Sequence, residues 1–334
     1  MYINEEILEN KVIFITGSTG TVGKGVLKYL FKNFNSHFKE VRILSRDEYK
    51  LYKLMEEFSN NSKIVPRLGD IRDKDIIKKY LCGVDIVIHS AALKRVEFGE
   101  YYPYELIKTN IEGTKNIIDA CIENNVSKAL LISTDKAVEP TSTYGATKLL
   151  AERLFISANV EERNNFKTLF SVARLGNILN SRGSLVEVIR EREKENLPLI
   201  LMDQEMTRFW MNIEDVSKFI IFCIATMQGG EIFVPKLKSS RIIDLMKVLY
   251  PKAKIELSSP RPGEKIHEML VSEYEKRICF NKGEVFVIYP DIINNKRDYS
   301  KTYLSNWQKI DLDLSFSSKD FIVKKDDIGK EFKI

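Results

Sequence analysis

The sequence predicts an α/β protein built on a doubly wound parallel sheet, with a smaller C-terminal lobe over one end. Three observations carry that prediction. Short runs rich in Val, Ile and Leu alternate with longer amphipathic stretches through the first half, the rhythm of parallel strands joined by helical crossovers. The first such run leads straight into a glycine-rich turn and then a helical pattern. In the second half the alternation gives way to irregular segments, which suit a lobe at the carboxyl ends of the strands, where open sheets of this class bind ligands.

Taken in order, Lys11–Thr16, Glu40–Ser45, Ser62–Leu68, Val84–Ser90 and Lys128–Thr134 read as strands, and Gly23–Phe34 and Asn110–Asn125 carry apolar residues at helical spacing. The pattern resumes at Lys167–Leu175 and Gly230–Lys236. The expected division is a ligand-binding domain over 1–177 with a return segment at 212–236, and a substrate lobe from 178–211 and 237–291. Residues 292–334 are rich in Lys, Asn, Ser and Asp with weak periodicity, and no role is assigned to that tail.

Composition narrows the function classes. Hydrophobic residues make up 44% and charged residues 30% of the 334, ordinary for a globular protein. The net charge of +5 is spread along the chain, which argues against a nucleic-acid-binding arm. Four scattered cysteines and three scattered histidines, with no C-x-x-C pair, predict neither a metal site nor a disulfide framework and fit a reducing compartment. The acidic N-terminus is unlike a signal peptide. The longest apolar stretch, near Phe219–Met227, is about half the ~20 residues a membrane helix needs. A soluble cytoplasmic protein without membrane insertion is the expectation.

The turn Thr16-Gly17-Ser18-Thr19-Gly20-Thr21-Val22-Gly23 follows the first strand and opens a helix. In that context Gly17 permits the tight turn, Gly20 the approach of a pyrophosphate and Gly23 close helix packing, while the helix N-terminus faces the anion. This is the fingerprint of a Rossmann-type dinucleotide site. Its Gly-x-x-Gly-x-x-Gly spacing resembles the short-chain dehydrogenase/reductases, and that resemblance places Asp70 and Ile71 at the adenine edge. The second strand ends at Ser45-Arg46, a hydroxyl and a guanidinium suited to a 2′-phosphate, so NADP is the expected cofactor. Asp47 is adjacent and keeps NAD open.

Tyr144 and Lys148 stand four apart, on one face of a helix. An ammonium there can lower the phenol pKa, so that Tyr144 takes a proton from an alcohol as hydride leaves its carbon. Ten residues upstream Thr134 ends a strand, where the resembled family carries its third catalytic hydroxyl. Asp135 and Lys136 follow it directly. Dehydrogenases and 4-epimerases have no use for such a pair. A dehydratase needs one group to remove a carbon-5 proton and another to protonate a departing hydroxyl.

Assembled, these residues resemble the extended short-chain dehydrogenase/reductases of polysaccharide biosynthesis, specifically inverting UDP-N-acetylglucosamine 4,6-dehydratases, from about Lys11 to Glu268. The run Thr134-Asp135-Lys136 carries the lysine of the inverting type. The resemblance also implies that Ala91, Ala92 and Lys94 lie along the cofactor, with Ser90 replacing the usual alanine. It implies that Lys94, Asn177, Arg208, Arg261 and Glu264 face the substrate and its diphosphate, although singly each arginine reads equally well as a salt bridge. The implied activity is transient oxidation at carbon 4, elimination of water with Asp135 as acid and Lys136 as base, and hydride return to carbon 6. Lys136 is expected to be held below its usual pKa, and the implied assembly is a homo-oligomer. A UDP-sugar 4-epimerase and a non-catalytic NADP-binding regulator are the competing readings. The former lacks a use for Asp135-Lys136, the latter for Thr134, Tyr144 and Lys148.

Overall fold

The computed structural model describes residues 1–334 except 2, 162–164, 166, 182, 260, 291 and 293–306. Part of the expected tail, 293–306, therefore lies outside the described residues, as does the boundary residue 291. The first half alternates β1 (Val12–Thr16), α1 (Thr21–Asn33), β2 (Glu40–Ser45), α2 (Glu48–Glu57), β3 (Ile64–Leu68), α3 (Lys74–Tyr80) and β4 (Ile86–His89). It continues through α4 (Val96–Tyr101), α5 (Pro103–Leu106), a π-helical turn at Ile107–Glu112, α6 (Gly113–Glu123), β5 (Lys128–Thr134), α7 (Thr143–Ser157) and β6 (Leu169–Leu175). The predicted strands all form. β1 and β4 are buried along their whole length, as parallel strands covered by helices on both faces must be.

Beyond β6 come β7 (Asn177–Ile178), α8 (Leu185–Lys194), β8 (Leu199–Leu201), β9 (Thr207–Met211), α9 (Ile213–Thr226) and β10 (Ile232–Pro235). They are followed by β11 (Ser239–Arg241), α10 (Ile242–Leu249), β12 (Ile255–Leu257), α11 (Glu273–Lys276), β13 (Cys279–Lys282), β14 (Val285–Ile288) and β15 (Gln308–Lys309). The main sheet runs β15-β13-β14-β10-β6-β5-β4-β1-β2-β3, parallel from β10 to β3. The strand order reverses between β1 and β4, and the ligand crevice of this class opens at that switch point. One apolar layer packs on each face, around Phe155 and Phe170 on one side and Phe219 and Ile220 on the other.

The small sheets β11-β9-β7 and β12-β8 form the lobe with α8 and α10. Two expectations are corrected here. β13 and β14, placed by sequence within the lobe, instead extend the main sheet antiparallel from β10. β14 is buried at every position, and an apolar strand lowers its free energy by covering the open edge of β10. The tail also has a place: β15 pairs with β13, while Phe316, Ile328 and Phe332 are buried. Scattered apolar residues without a period conceal such docking from a sequence reading.

Candidate active site

A cleft of about 800 Å³ runs along the carboxyl ends of the strands between the main sheet and the lobe. Its floor is the glycine turn. Gly17 has φ +65°, and a Cβ there would lie 2.8 Å from the Ala91 backbone nitrogen, so both conformation and close approach exclude a side chain. Gly23 packs against Gly17 and Ser18 of the turn. Gly20 caps α1 without a side-chain bond, leaving the first-turn N–H groups presented by Thr21, Val22 and Gly23 at the cleft wall. A phosphate would fit this cradle. Thr19, Ser45, Arg46, Asp70, Ile71, Ala91, Ala92 and Lys94 line the same cleft.

Thr16 and Ser18, expected at the cofactor, are buried away from it. The Thr16 hydroxyl lies 2.7 Å from His89 Nδ1 and accepts from the Ser90 and Ala91 backbones, and Ser18 Oγ donates to the Leu44 carbonyl. Their polar atoms tie β1 to its neighbours. Ser90 likewise donates to the Thr16 carbonyl at 2.6 Å.

At the β2 tip, Asp47 is engaged as the N-cap of α2, accepting from the Lys50 backbone at 2.9 Å. Arg46 extends outward with its side chain 55% exposed, 3.9 Å from Asp70. Asp70 itself is held by Arg72 at 2.7 Å.

The residues expected to be catalytic converge at the end of β5. Thr134 pairs with Leu175 of β6, so the residues two beyond each, Lys136 and Asn177, come side by side. α7 approaches this turn because residue 145 is glycine: a Cβ there would meet the Lys136 carbonyl at 2.3 Å. Lys136 Nζ donates to Asp135 Oδ1 at 3.1 Å and Asn177 Oδ1 at 2.9 Å, and it lies 3.4 Å from Glu268 Oε1. Thr134 Oγ1 donates to Asp135 Oδ1 at 2.9 Å, and its hydroxyl acts on the Tyr144 phenol. Thr134, Lys136, Tyr144 and Lys148 line the cleft, whereas Asp135 is buried behind them.

The electrostatics depart from expectation. Burial raises the Tyr144 phenol to about 12, against the pull of the Lys136 ammonium and the Thr134 hydroxyl. Lys148 Nζ donates to the Ile132 carbonyl at 2.8 Å, and burial lowers it to about 8 despite Glu152. Burial also pulls Lys136 down, but the Asp135 and Glu268 carboxylates outweigh it and hold the ammonium above the ordinary lysine range. The expected depression of Lys136 is thus reversed, since sequence showed one neighbouring carboxylate and the fold supplies two. Asp135 is raised by burial, with Lys136 opposing and Glu268 adding to the shift.

Of the residues expected to face the substrate, Arg261 is exposed at the cleft with Glu264 nearby. Arg208 is different. It is 3% exposed and donates to the Thr207, Ile266 and Lys265 carbonyls and to Glu264. Its guanidinium braces the wall, so a diphosphate would have to displace a protein partner. Asn177 presents its carbonyl oxygen to Lys136.

Three features escaped the sequence reading. Glu268 is one. A second is Arg174, fully buried between Glu152 at 2.7 Å and Glu275 at 2.9 Å, which ties α7 to α11. The third is Asn110, whose amide joins the Leu93 carbonyl to the Thr147 hydroxyl. None carries a local motif; each depends on pairings across 17 or more residues. Among the described residues no cluster of His, Cys, Asp and Glu could hold a metal ion, and no helix is long and apolar enough to cross a membrane.

The polysaccharide biosynthesis protein family profile matches residues 13–290. The chain belongs to that family. It is 41% identical over 327 residues to an uncharacterized membrane protein of Methanocaldococcus jannaschii, covering 95% of each chain. It is 40% identical over 319 residues to the inverting UDP-N-acetylglucosamine 4,6-dehydratase of Campylobacter jejuni, covering 93% of each. A UDP-glucose 4-epimerase of Rickettsia bellii is 38% identical, with 91% of this chain and 89% of the relative covered. The structure of Pen from Bacillus thuringiensis superposes with a TM-score of 0.88 at 33% identity over 97% of both chains. DesIV of Streptomyces venezuelae, a dTDP-glucose 4,6-dehydratase solved with NAD and TYD, shares the fold with a TM-score of 0.70 at 20% identity, over 76% of this chain and 86% of its own. These relatives place the protein among extended short-chain dehydrogenase/reductases, in the nucleotide-sugar dehydratase and epimerase family of enzymes.

Proposed function

We propose that the protein is an inverting UDP-N-acetylglucosamine 4,6-dehydratase that uses NADP. The observation that carries this reading is the Asp135–Lys136 pair beside Thr134 and Tyr144 at the end of β5. An oxidoreductase needs the tyrosine; only elimination also needs an acid and a base beside it. The glycine cradle, Asp70 and Ile71 fit a dinucleotide, and Ser45 and Arg46 fit its 2′-phosphate, with Asp47 engaged in capping α2. A bound nicotinamide supplies the hydride acceptor and donor for carbons 4 and 6 of the sugar.

The chain's residues handle the protons. Tyr144 takes the proton of the 4-hydroxyl, assisted by Thr134, and Lys148 orients the nicotinamide ribose. Oxidation at carbon 4 acidifies the carbon-5 proton, which Lys136 removes. Asp135 protonates the departing 6-hydroxyl, its carboxyl turning out from behind Thr134 and Lys136. Lys136 then returns a proton to carbon 5 on the opposite face, inverting that centre. Asn177, Arg261 and Glu264 line the path for the UDP portion, with Lys94 near the sugar and Arg208 bracing the wall.

A UDP-sugar 4-epimerase is the second reading, favoured by the 38% identity to the Rickettsia bellii relative. Incubation with UDP-N-acetylglucosamine in heavy water separates them. The dehydratase yields a product lighter by one water and deuterated at carbon 5 with inverted configuration, whereas an epimerase yields an isomer of unchanged mass. Lys136→Ala should retain substrate binding yet lose water elimination and carbon-5 exchange together. Near-normal dehydration by that variant would overturn the assignment of Lys136.

A further inference from the structure

Glu268 lies more than a hundred residues along the chain from β5, yet its carboxylate closes the ring around Lys136. Oε1 is 3.4 Å from Lys136 Nζ and 3.7 Å from Arg208 Nε. Its backbone N–H donates to Ser318 Oγ at 2.9 Å, and that hydroxyl also bonds Thr207 Oγ1 at 2.6 Å. The tail thus fixes the segment bearing the carboxylate. The residue is 2% exposed, and a buried carboxylate is retained only where charges or donors balance it.

The geometry points to Glu268 as a positioning residue for dehydration, one that holds Lys136 in place and makes Asp135 the partner that carries the proton. This deepens the dehydratase reading and rests on it. An ammonium has three N–H groups, and Asp135, Asn177 and Glu268 stand at three acceptor positions around this one. The amine is therefore fixed from three separate segments of chain. Two carboxylates, Lys136 and Arg208 make a cluster whose formal charges cancel. Asp135 Oδ2 and Glu268 Oε2 are buried and, among the described residues, have no hydrogen-bond partner.

A proton can therefore move within the cluster without changing its total charge. The Lys136 N–H bond breaks, an O–H bond forms on a carboxylate, and a neutral amine faces a carboxylic acid. That pair is the base and the acid which elimination requires. Asp135 is the favoured recipient. Lys136, Arg208 and Lys265 keep Glu268 ionised against the effect of burial, and two carboxylates sharing one site cannot both stay ionised cheaply. The other titratable groups facing the cluster are Tyr144, beside Lys136 and Asp135, Glu264, 3.2 Å from Arg208, His267, next to Glu268 in the chain, and Glu139, which acts on Lys265.

The test uses the full-length protein with Glu268→Gln, which keeps shape and removes charge, and Glu268→Asp, which keeps charge and withdraws it by one methylene. Two quantities are measured against pH: turnover of UDP-N-acetylglucosamine, and acetylation of Lys136 by a trace of acetic anhydride, read by peptide mass spectrometry. Glu268→Gln should retain NADP binding, lose turnover by about 10- to 100-fold, and shift the Lys136 acetylation profile to lower pH by about one to three units. Glu268→Asp should show a smaller shift in the same direction and recover most turnover. Acetylation profiles unchanged from wild type in the folded variants would overturn the proposal, and one folded variant suffices to decide it. Failure of the dehydratase reading shows separately, as a wild-type enzyme that eliminates no water while the acetylation shift persists.

Discussion

Replacing Arg46 by alanine tests the cofactor assignment most directly. In the protein alone the Arg46 side chain is 55% exposed and reaches Asp70 only at 3.9 Å, so its loss should leave the fold intact. Asp70 keeps its position through Arg72 at 2.7 Å. With NADP bound, the guanidinium would meet the 2′-phosphate in a charge-assisted hydrogen bond, worth roughly 1.5–3 kcal/mol. Exposure at the cleft rim admits water and salt, which places the effect at the lower end. The expected loss is therefore about 10- to 30-fold in NADP affinity, or roughly 1.5–2 kcal/mol, with NAD affinity nearly unchanged. Calorimetric titration of both cofactors into wild type and variant measures this, and the wild-type advantage for NADP should shrink as ionic strength rises. Equal losses for both cofactors would refute the argument. So would tighter binding of NAD than NADP by the wild type, since Asp47 would then have to leave its capping role.

Other consequences follow from the site. Tyr144→Phe should abolish turnover while substrate affinity, read by calorimetry, stays within a few-fold, because the phenolic oxygen is removed and the ring retained; substantial residual turnover would assign the base elsewhere. Arg261→Ala should raise KM with kcat little changed, the pattern of uniform binding. Arg208→Ala, by contrast, should also lower the unfolding midpoint, because it leaves three backbone carbonyls and two carboxylates without their buried partner. Identical stability of the two arginine variants would contradict the bracing role. Burial first, and the Lys148 charge second, hold His89 down to about 3. Its neutral state therefore contributes stability in full above the unfolded value of about 6.5, and that contribution erodes as pH falls towards 3. About 2 kcal/mol should be lost by pH 5, seen as a lower urea midpoint, and a folded His89→Gln variant should lack that part of the slope.

What the sequence determined by itself is the layout written in local patterns. Apolar runs of strand length placed the parallel strands, and Gly17, Gly20 and Gly23 located the crevice, because steric demands of a turn are met by the residue occupying it. Helical spacing put Tyr144 and Lys148 on one face, and adjacency put Asp135 and Lys136 at the end of β5. Only the tertiary structure decided what surrounds those groups. Lys148 turns to the Ile132 carbonyl and not to the phenol; Thr16 and Ser18 face inward; Arg208 is held by the wall it was expected to project from. Lys136 is held above the ordinary lysine range because Glu268 joins Asp135 beside it, arriving from the lobe on a segment anchored by Ser318 of the tail. The physical reason is common to all four. Coulomb energy and desolvation depend on distance and burial in three dimensions, and neither can be read from a residue's neighbours along the chain.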